Sequence, residues 1–181
     1  MKRKCFCFLP EGFEEIEALA TVDILRRGGA DVSLVSLTQD KHITGGKNVV
    51  VHADITFDKF LNLERAESDV FILPGGPGTD NYLKFPEFEE LMRKSNNLIC
   101  AICAAPSILD QWGILDGITA VCHPSRTFKR AKLGEKSVEI QERFITAKGP
   151  SSTFEFALAV LKNVEGEEAA KKIESELKLS Q

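Results

Sequence analysis

The sequence predicts an α/β layer fold on a mainly parallel central sheet. Three observations lead there. Strand-like and helix-like segments alternate from one end of the 181 residues to the other. The runs "VFILP" and "LICAIC" are apolar at almost every position, as strands covered on both faces require. No internal repeat or linker breaks the chain, and its length suits one well-buried core, so residues 1–181 are expected to form a single domain.

The elements follow in order. "KCFCFLP" is a short strand closed by Pro10. In "FEEIEALATVDILRRGGA", Ile16, Leu19 and Leu25 fall near one helical face, acids crowd the first turn, and Arg26-Arg27-Gly28 closes the segment. "DVSLVSL" reads as a strand, and "HITGGKNVVVHADI" as a hairpin of two β-type pieces about Gly45-Gly46. "FDKFLNLERA" is a short helix. "DVFILPGGPGTDN" is a buried strand opening into a Gly-rich turn, and "NYLKFPEFEELMRKSNN" is helical with a break at Pro86. "LICAIC" is a strand, "APSILDQWGIL" a helix and "ITAVCHP" a strand. After a loop come weaker strands in "SVEI" and "RFITAKG". Ser152 to Glu155, "STFE", has the pattern of a capping box for the helix "FEFALAVLKNV". The tail is an amphipathic surface helix supported by Glu167/Lys171 and Glu168/Lys172 pairs.

Composition narrows the function classes. With 43% apolar and 28% charged residues the chain has the make-up of a globular protein. A net charge of −4 leaves no basic face for nucleic acid, and "KRAK" at Lys129–Lys132 is too short to provide one. No apolar run approaches the ~20 residues that cross a bilayer, so no membrane partner is expected. The basic start is followed by an apolar run of about five residues, short of the ~7–15 of a signal peptide, so a cytoplasmic protein is expected. Five cysteines, an odd count, argue against a disulfide framework. Cys5, Cys7, Cys100 and Cys122 lie in apolar strand-like segments, where a thiol acts as a small hydrophobe.

In open parallel sheets ligands bind outside the carboxyl ends of the strands. That rule singles out Glu11–Glu17, Gly75–Gly78, Cys103–Pro106 and His123-Pro124. The Cys100-x-x-Cys103 spacing raises the question of a dithiol or a metal. Along an extended strand the two Cα atoms would lie about 10 Å apart, beyond the roughly 4.4–6.8 Å of a disulfide. Odd spacing would also turn the side chains to opposite faces. A zinc site would need a second Cys or His pair, and none is present, so no metal is expected.

Cys103 alone is another matter. It ends a strand, has Ala101, Ala104 and Ala105 as small neighbours, and Pro106 fits a first helical turn. This is the pattern of a nucleophile elbow. A helix N-terminus there would favour thiolate, and the Ala104 N–H would face an oxyanion. A buried structural cysteine is the competing reading. "LPGGPG" lacks the Lys-Ser/Thr of a phosphate loop; beside an elbow, the Gly76 N–H could complete the oxyanion hole, although a plain tight turn is equally compatible. Glu14 and Glu17 would by default complement the helix dipole. A carboxylate beside Cys103 would raise its pKa, so a glutamate there helps only when protonated. His123 is expected on the same edge; alone, it reads more readily as a structural histidine than as a base. His42 and His52 lie in the hairpin, away from that edge.

Taken together, "PEGFEEIEALATVDILRRGG", "VFILPGGPGTDN", "ICAICAAPSIL", "CHP" and "TAKGPSSTFEFALAVL" resemble the ThiJ/PfpI superfamily, and most of all its parkinsonism-associated deglycase branch. The stretches run in order and cover nearly the whole chain, 1–181, as one ThiJ/PfpI-like domain. The resemblance implies a flavodoxin-like three-layer sandwich of the class I glutamine amidotransferase type, a homodimer, and no cofactor. It carries the family's reactive cysteine onto Cys103, its protonated glutamate onto Glu17, its oxyanion-hole glycine onto Gly76 and its nearby histidine onto His123.

Departures from relatives also inform. Protease-like members carry a histidine directly after the cysteine, where this chain has Ala104. Amidotransferases need a downstream His-x-Glu, and His123 is followed by Pro124-Ser125. Two classes remain. One is a cofactor-free enzyme for small 2-oxoaldehydes such as methylglyoxal, of glyoxalase or deglycase type, with Cys103 as nucleophile, Glu17 moving a proton, Gly76 and Ala104 holding the oxyanion and His123 assisting. The other is an oxidative-stress sensor or chaperone whose Cys103 is oxidised to sulfenic or sulfinic acid without turnover.

Overall fold

The computed structural model describes residues 3–178. Its central sheet has seven strands in the order β10-β11-β7-β6-β1-β2-β5. These are β1 (Lys4–Leu9), β2 (Asp31–Ser36), β5 (Ile55–Thr56), β6 (Val70–Leu73), β7 (Leu98–Ile102), β10 (Val138–Gln141) and β11 (Phe144–Ala147). All neighbours pair in parallel except β10, which runs antiparallel to β11 at the edge. The expected flavodoxin-like, mainly parallel three-layer architecture is therefore present. A small antiparallel hairpin joins β3 (His42–Thr44) to β4 (Val50–His52), as the Gly45-Gly46 punctuation predicted.

Strand alternation decides what each face of the sheet holds. Cys5, Cys7, Leu9, Val70, Ile72, Cys100 and Ile102 point to one side. There they meet α1 (Glu15–Arg27), α5 (Thr153–Glu165) and α6 (Glu167–Glu176). Phe6, Phe8, Phe71, Leu73, Ile99 and Ala101 point to the other, against α2 (Phe57–Leu61), α3 (Pro86–Lys94) and α4 (Ala105–Gln111).

Several local expectations are corrected. "ITAVCHP" contributes only β8 (Thr119–Ala120), which pairs with β9 (Lys132–Leu133) outside the main sheet. The Val121 N–H is drawn off to the Thr146 hydroxyl at 3.0 Å. The capping box does not form. A 3₁₀ turn at Pro150–Ser152 leads into α5, Ser152 makes no side-chain cap, and Glu155 accepts instead from the Ser137 hydroxyl at 2.7 Å. In α6, Lys171 pairs with Glu167, but Lys172 turns to Glu176 rather than Glu168.

Candidate functional site

The carboxyl ends of β1, β6 and β7 converge on Cys103. β7 stops at Ile102, and Cys103 takes a left-handed backbone with φ of 63°. A side chain other than glycine occupies that region only at a cost of about 1–3 kcal/mol. The kink has a geometric consequence that spacing alone misses. Continued alternation would send the thiol to the aromatic side with Ile99 and Ala101; instead Cys103 joins Cys100 and Ile102 in the same core cluster. The expectation of opposite faces is thus wrong. The two-thiol reading still fails: all five cysteines are free, and Cys100 is sealed inside β7. The elbow is held by the Cys103 N–H donating to the Ala147 carbonyl at 2.9 Å, while its own carbonyl accepts from the His123 N–H at 2.7 Å.

The loop after β1 and the loop after β6 interlock above this turn. Glu14 N–H donates to the Gly75 carbonyl, and Gly78 N–H to the Gly12 carbonyl, each at 2.8 Å. Glycine is required at several points of this contact, two of them nearest the site. A Cβ on Gly75 would lie 2.7 Å from the Cys103 Cβ, and Gly76, at φ of 116°, would press one to 2.5 Å from the Glu14 nitrogen. Glu14 caps α1, its Oε2 accepting the Glu17 N–H at 2.7 Å. The Glu17 side chain is thereby left for the interior. It is fully buried. Its Oε2 accepts the Gly75 N–H at 2.8 Å, and Oε1 has no partner of good hydrogen-bond geometry. Cys103 is the side chain with which this carboxyl interacts.

The electrostatics follow from burial. Desolvation pushes the Glu17 carboxyl up to about 7, against the bonding of Cys103 and Gly75, with the Glu14 charge adding to the rise. Desolvation also pushes the Cys103 thiol up to about 12, and the negative Glu17 adds to it; the N–H groups of Ala104 and Gly76 pull it down. The expectation of a thiol made acidic by a helix N-terminus is therefore not met, because burial and the Glu17 carboxylate outweigh the N–H groups of Ala104 and Gly76. The two groups titrate as a pair. With Glu17 ionised, Cys103 keeps its proton. A thiolate belongs with the neutral carboxyl, which repels nothing and can donate to sulfur.

Each expected site residue can now be located. Glu17, Gly76 and Ala104 all act on the Cys103 sulfur. His123 reaches the site through its backbone. Its ring Nδ1 accepts the Ser125 N–H at 3.2 Å and lies 2.7 Å from the Ser125 hydroxyl, which puts the proton of the neutral ring on Nε2. The ring stands beside Gly149, where a Cβ would be 3.4 Å from Cδ2. Sequence reasoning placed Gly75 in the strand-end stretch Gly75–Gly78 but gave it no role; its N–H fixes the glutamate. A cleft of about 500 Å³ lined by Arg65, Phe71, Leu91 and Asn97 lies at the amino ends of β6 and β7, away from this chemistry. Cys103 itself is 8% exposed, so only a small reactant reaches it.

A strained cysteine at a strand-to-helix elbow, backed by a buried glutamate and two N–H donors, defines a nucleophile-elbow α/β protein. Residues 3–163 match the DJ-1/PfpI family, and the chain belongs to it. It is 36% identical over 166 residues to the glutathione-independent glyoxalase DJR-1.2 of Caenorhabditis elegans, covering 88% of this chain and 87% of that one. Among solved structures, Drosophila melanogaster DJ-1beta superposes with a TM-score of 0.92 at 25% identity, with both chains fully covered. Oxidized Toxoplasma gondii DJ-1 gives 0.87 at 31% identity, over 97% of this chain and 98% of that one. Among the described residues no helix is long and apolar enough to cross a membrane.

Proposed function

We propose that this chain is a cofactor-independent, cysteine-dependent enzyme for small 2-oxoaldehydes, of glyoxalase or deglycase type. The observation that carries the reading is the Glu17–Cys103 pair: a buried carboxyl poised at about 7 against a thiol that faces two backbone N–H groups. The similarity to a glyoxalase of C. elegans supports it.

The reaction follows from that arrangement. The Cys103 proton passes to Glu17, and the sulfur adds to the aldehyde carbon of methylglyoxal, forming a C–S bond and an alkoxide. The N–H groups of Gly76 and Ala104 face the sulfur and so lie on the side where the alkoxide oxygen, on the carbon bonded to that sulfur, develops. Protonation gives the hemithioacetal. Glu17, ionised again, takes the hydrogen from the former aldehyde carbon as a proton, and an enediol forms. Return of a proton to the neighbouring carbon gives the lactoyl thioester. Water then cleaves the C–S bond, releasing lactate and the thiol. His123 lends its carbonyl-bound backbone to the elbow and its ring to the rim. In the deglycase variant the sulfur replaces the amine on the carbinol carbon of the aldehyde adduct: the C–S bond forms as the C–N bond breaks, and the proton taken from Cys103 by Glu17 goes to the departing amine.

Methylglyoxal consumption and lactate formation by wild type, Cys103→Ala and Glu17→Gln test this reading. Wild type without turnover above buffer would sink it. A second reading draws on the same donors. Oxygen on the sulfur of a sulfinate would meet the Gly76 and Ala104 N–H groups, and a family structure is described as oxidized. Peroxide titration with mass spectrometry separates the two. A sensor oxidises Cys103 far ahead of Cys5 and Cys122 and turns over no aldehyde. The expected homodimer belongs to the proposal, and sedimentation velocity at micromolar concentration checks it; a monomer would remove it.

A further inference from the structure

Glu17 Oε1, Thr21 Oγ1 and Thr153 Oγ1 are buried oxygens with no hydrogen-bond partner among the described residues. All three residues are fully buried. Glu17 and Thr21 lie one turn apart on α1, so their side chains share a face. Thr21 does not bond the carbonyl one turn back that helical threonines commonly use.

The fold brings Thr153, which opens α5, to the same place. β1 and β11 belong to one parallel array, and each leads into its helix, so α1 and α5 run side by side in the same direction. Their register is set where Gly28 abuts Leu161: a Cβ on Gly28 would lie 2.3 Å from Leu161 Cδ1. Two turns back toward the amino ends, about seven residues on each helix, Thr21 comes level with Thr153 and Phe154. Phe154 is exposed and Thr153 is turned inward. Glu17 follows one turn further on. The three oxygens thus gather at the end of the α1–α5 seam that adjoins the elbow, where Ala147 of β11 holds the Cys103 N–H.

We propose that Thr21 and Thr153 are positioning residues for Glu17, the three side chains enclosing a site for one internal water that accepts from both hydroxyls and donates to Oε1. Three bonds to polar groups are the usual complement of a buried water. A carboxyl has about four lone-pair sites; the Gly75 N–H takes one on Oε2, and a water on Oε1 leaves room for the sulfur. Held at both oxygens, the carboxyl keeps its aim while a proton passes between it and Cys103. A donor on Oε1 also favours the ionised carboxyl, opposing the burial that pushes Glu17 up. The catalytic role rests on the aldehyde-enzyme reading; the water site does not.

Infrared difference titration of the full chain, wild type against Glu17→Gln, isolates the Glu17 carboxyl band without any substrate. Thr21→Val and Thr153→Val keep the side-chain shape and delete the hydroxyls. Each should raise the Glu17 midpoint by about half to one pH unit, and the double variant by more. Thr21→Ser and Thr153→Ser should restore it. The ionisable neighbours of Glu17, namely Cys103 at the elbow, Glu14 on α1 and Tyr82 from the turn after β6, are unchanged in all of these. Glu155 of α5 is turned away to Ser137. A crystal structure of wild type should show a water within hydrogen-bond reach of all three oxygens, and kcat should fall several-fold in the valine variants with KM unchanged. A midpoint unmoved or lowered in the double variant, or no such water, would overturn the proposal. So would valine variants with a raised urea midpoint and an unmoved titration, the mark of bare hydroxyls. A shifted titration with the water in place, in a chain that turns over no aldehyde, would uphold the site and sink only the enzyme reading.

Discussion

The two faces of the central sheet are made by the same strands and serve opposite ends. On one face Phe6, Phe8 and Phe71 meet Phe57, Phe60 and Phe88, many edge to face, with Phe8 alone touching four rings at 4.9–6.3 Å between centroids. Such rings interlock at crystal-like density and give a rigid layer. The other face is lined by thiols and aliphatics, Cys5, Cys7, Cys100 and Ile102, and it also receives Cys103 and borders the buried Glu17. The aromatic face is fully satisfied where rings pack. The thiol face holds buried oxygens without partners, Glu17 Oε1, Thr21 Oγ1 and Thr153 Oγ1 among them. Unpaired polar atoms of this kind cost stability, and one of them sits on the reactive pair. The rigid face supports strain and unsatisfied polarity on the other.

The sharpest way to break this comparison is within one strand. Cys103→Ala should reduce methylglyoxal turnover to the uncatalysed level, while Cys100→Ala, three positions earlier on the same core face, should leave kcat within error and cost about 1 kcal/mol of stability. Equal losses in both variants would mean that the kink at Cys103 confers nothing special. The aromatic face should respond in the reverse manner. Phe8→Ala removes a fully buried ring and should cost about 3–5 kcal/mol in denaturant unfolding. An aromatic face that tolerated this change would not be the rigid layer described.

The pH dependence of stability comes next in size. Glu17 rises from 4.5 to about 7 on folding, so between those values the folded state binds the proton that the unfolded chain has released. Its contribution therefore falls as pH rises from 4.5 to 7, by about 3 kcal/mol, and is flat above and below. Glu17→Gln keeps an amide that can accept from Gly75 and donate toward sulfur, and it cannot ionise. The variant should gain on wild type by that amount between pH 4.5 and 8, measured by urea midpoints, and lose on the order of 100-fold in kcat. Parallel stability curves for the two proteins would show that the carboxyl is not held neutral by burial.

Much of this was legible in the residues, and the failures have a common cause. The order of elements, the strand ends that gather Glu17, Gly76 and Cys103, and the hairpin about Gly45-Gly46 follow from local periodicity and from Gly and Pro. What local pattern misses is set by distant partners. Cys103 reads as the last strand residue until the Ala147 carbonyl and the His123 N–H are seen to hold it in a left-handed turn. The "STFE" box is outcompeted because Ser137, in the turn just before β10, reaches Glu155. The helix-dipole argument gave the wrong direction for the thiol because depth of burial is not a property of the segment "AICAAP". The role of Gly75, though the residue lay in the stretch singled out, stayed hidden because it is a single N–H aimed at a side chain 58 positions away.

The smallest predicted effect lies where the two faces communicate. Tyr82 is fully buried, its ring stacked on Phe88 at 5.4 Å in the aromatic layer. Its hydroxyl lies 2.9 Å from the Phe8 carbonyl in β1 and 3.0 Å from the Pro74 carbonyl after β6. One proton serves two acceptors, so the phenol ties together the strand ends from which the Glu11–Glu14 and Gly75–Gly78 loops depart. Tyr82→Phe keeps the ring and deletes the tie. It should cost about 1–2 kcal/mol, the worth of a buried hydrogen bond with an acceptor left behind. Because Gly75 and Gly76 follow Pro74 directly, their N–H groups should lose aim at Glu17 and at the sulfur, giving a several-fold drop in kcat with KM unchanged. A stability loss with kcat intact would show that the glycine turn is positioned from the thiol side alone, by Glu14 and Gly12, and that the aromatic layer supports the fold without tuning the site.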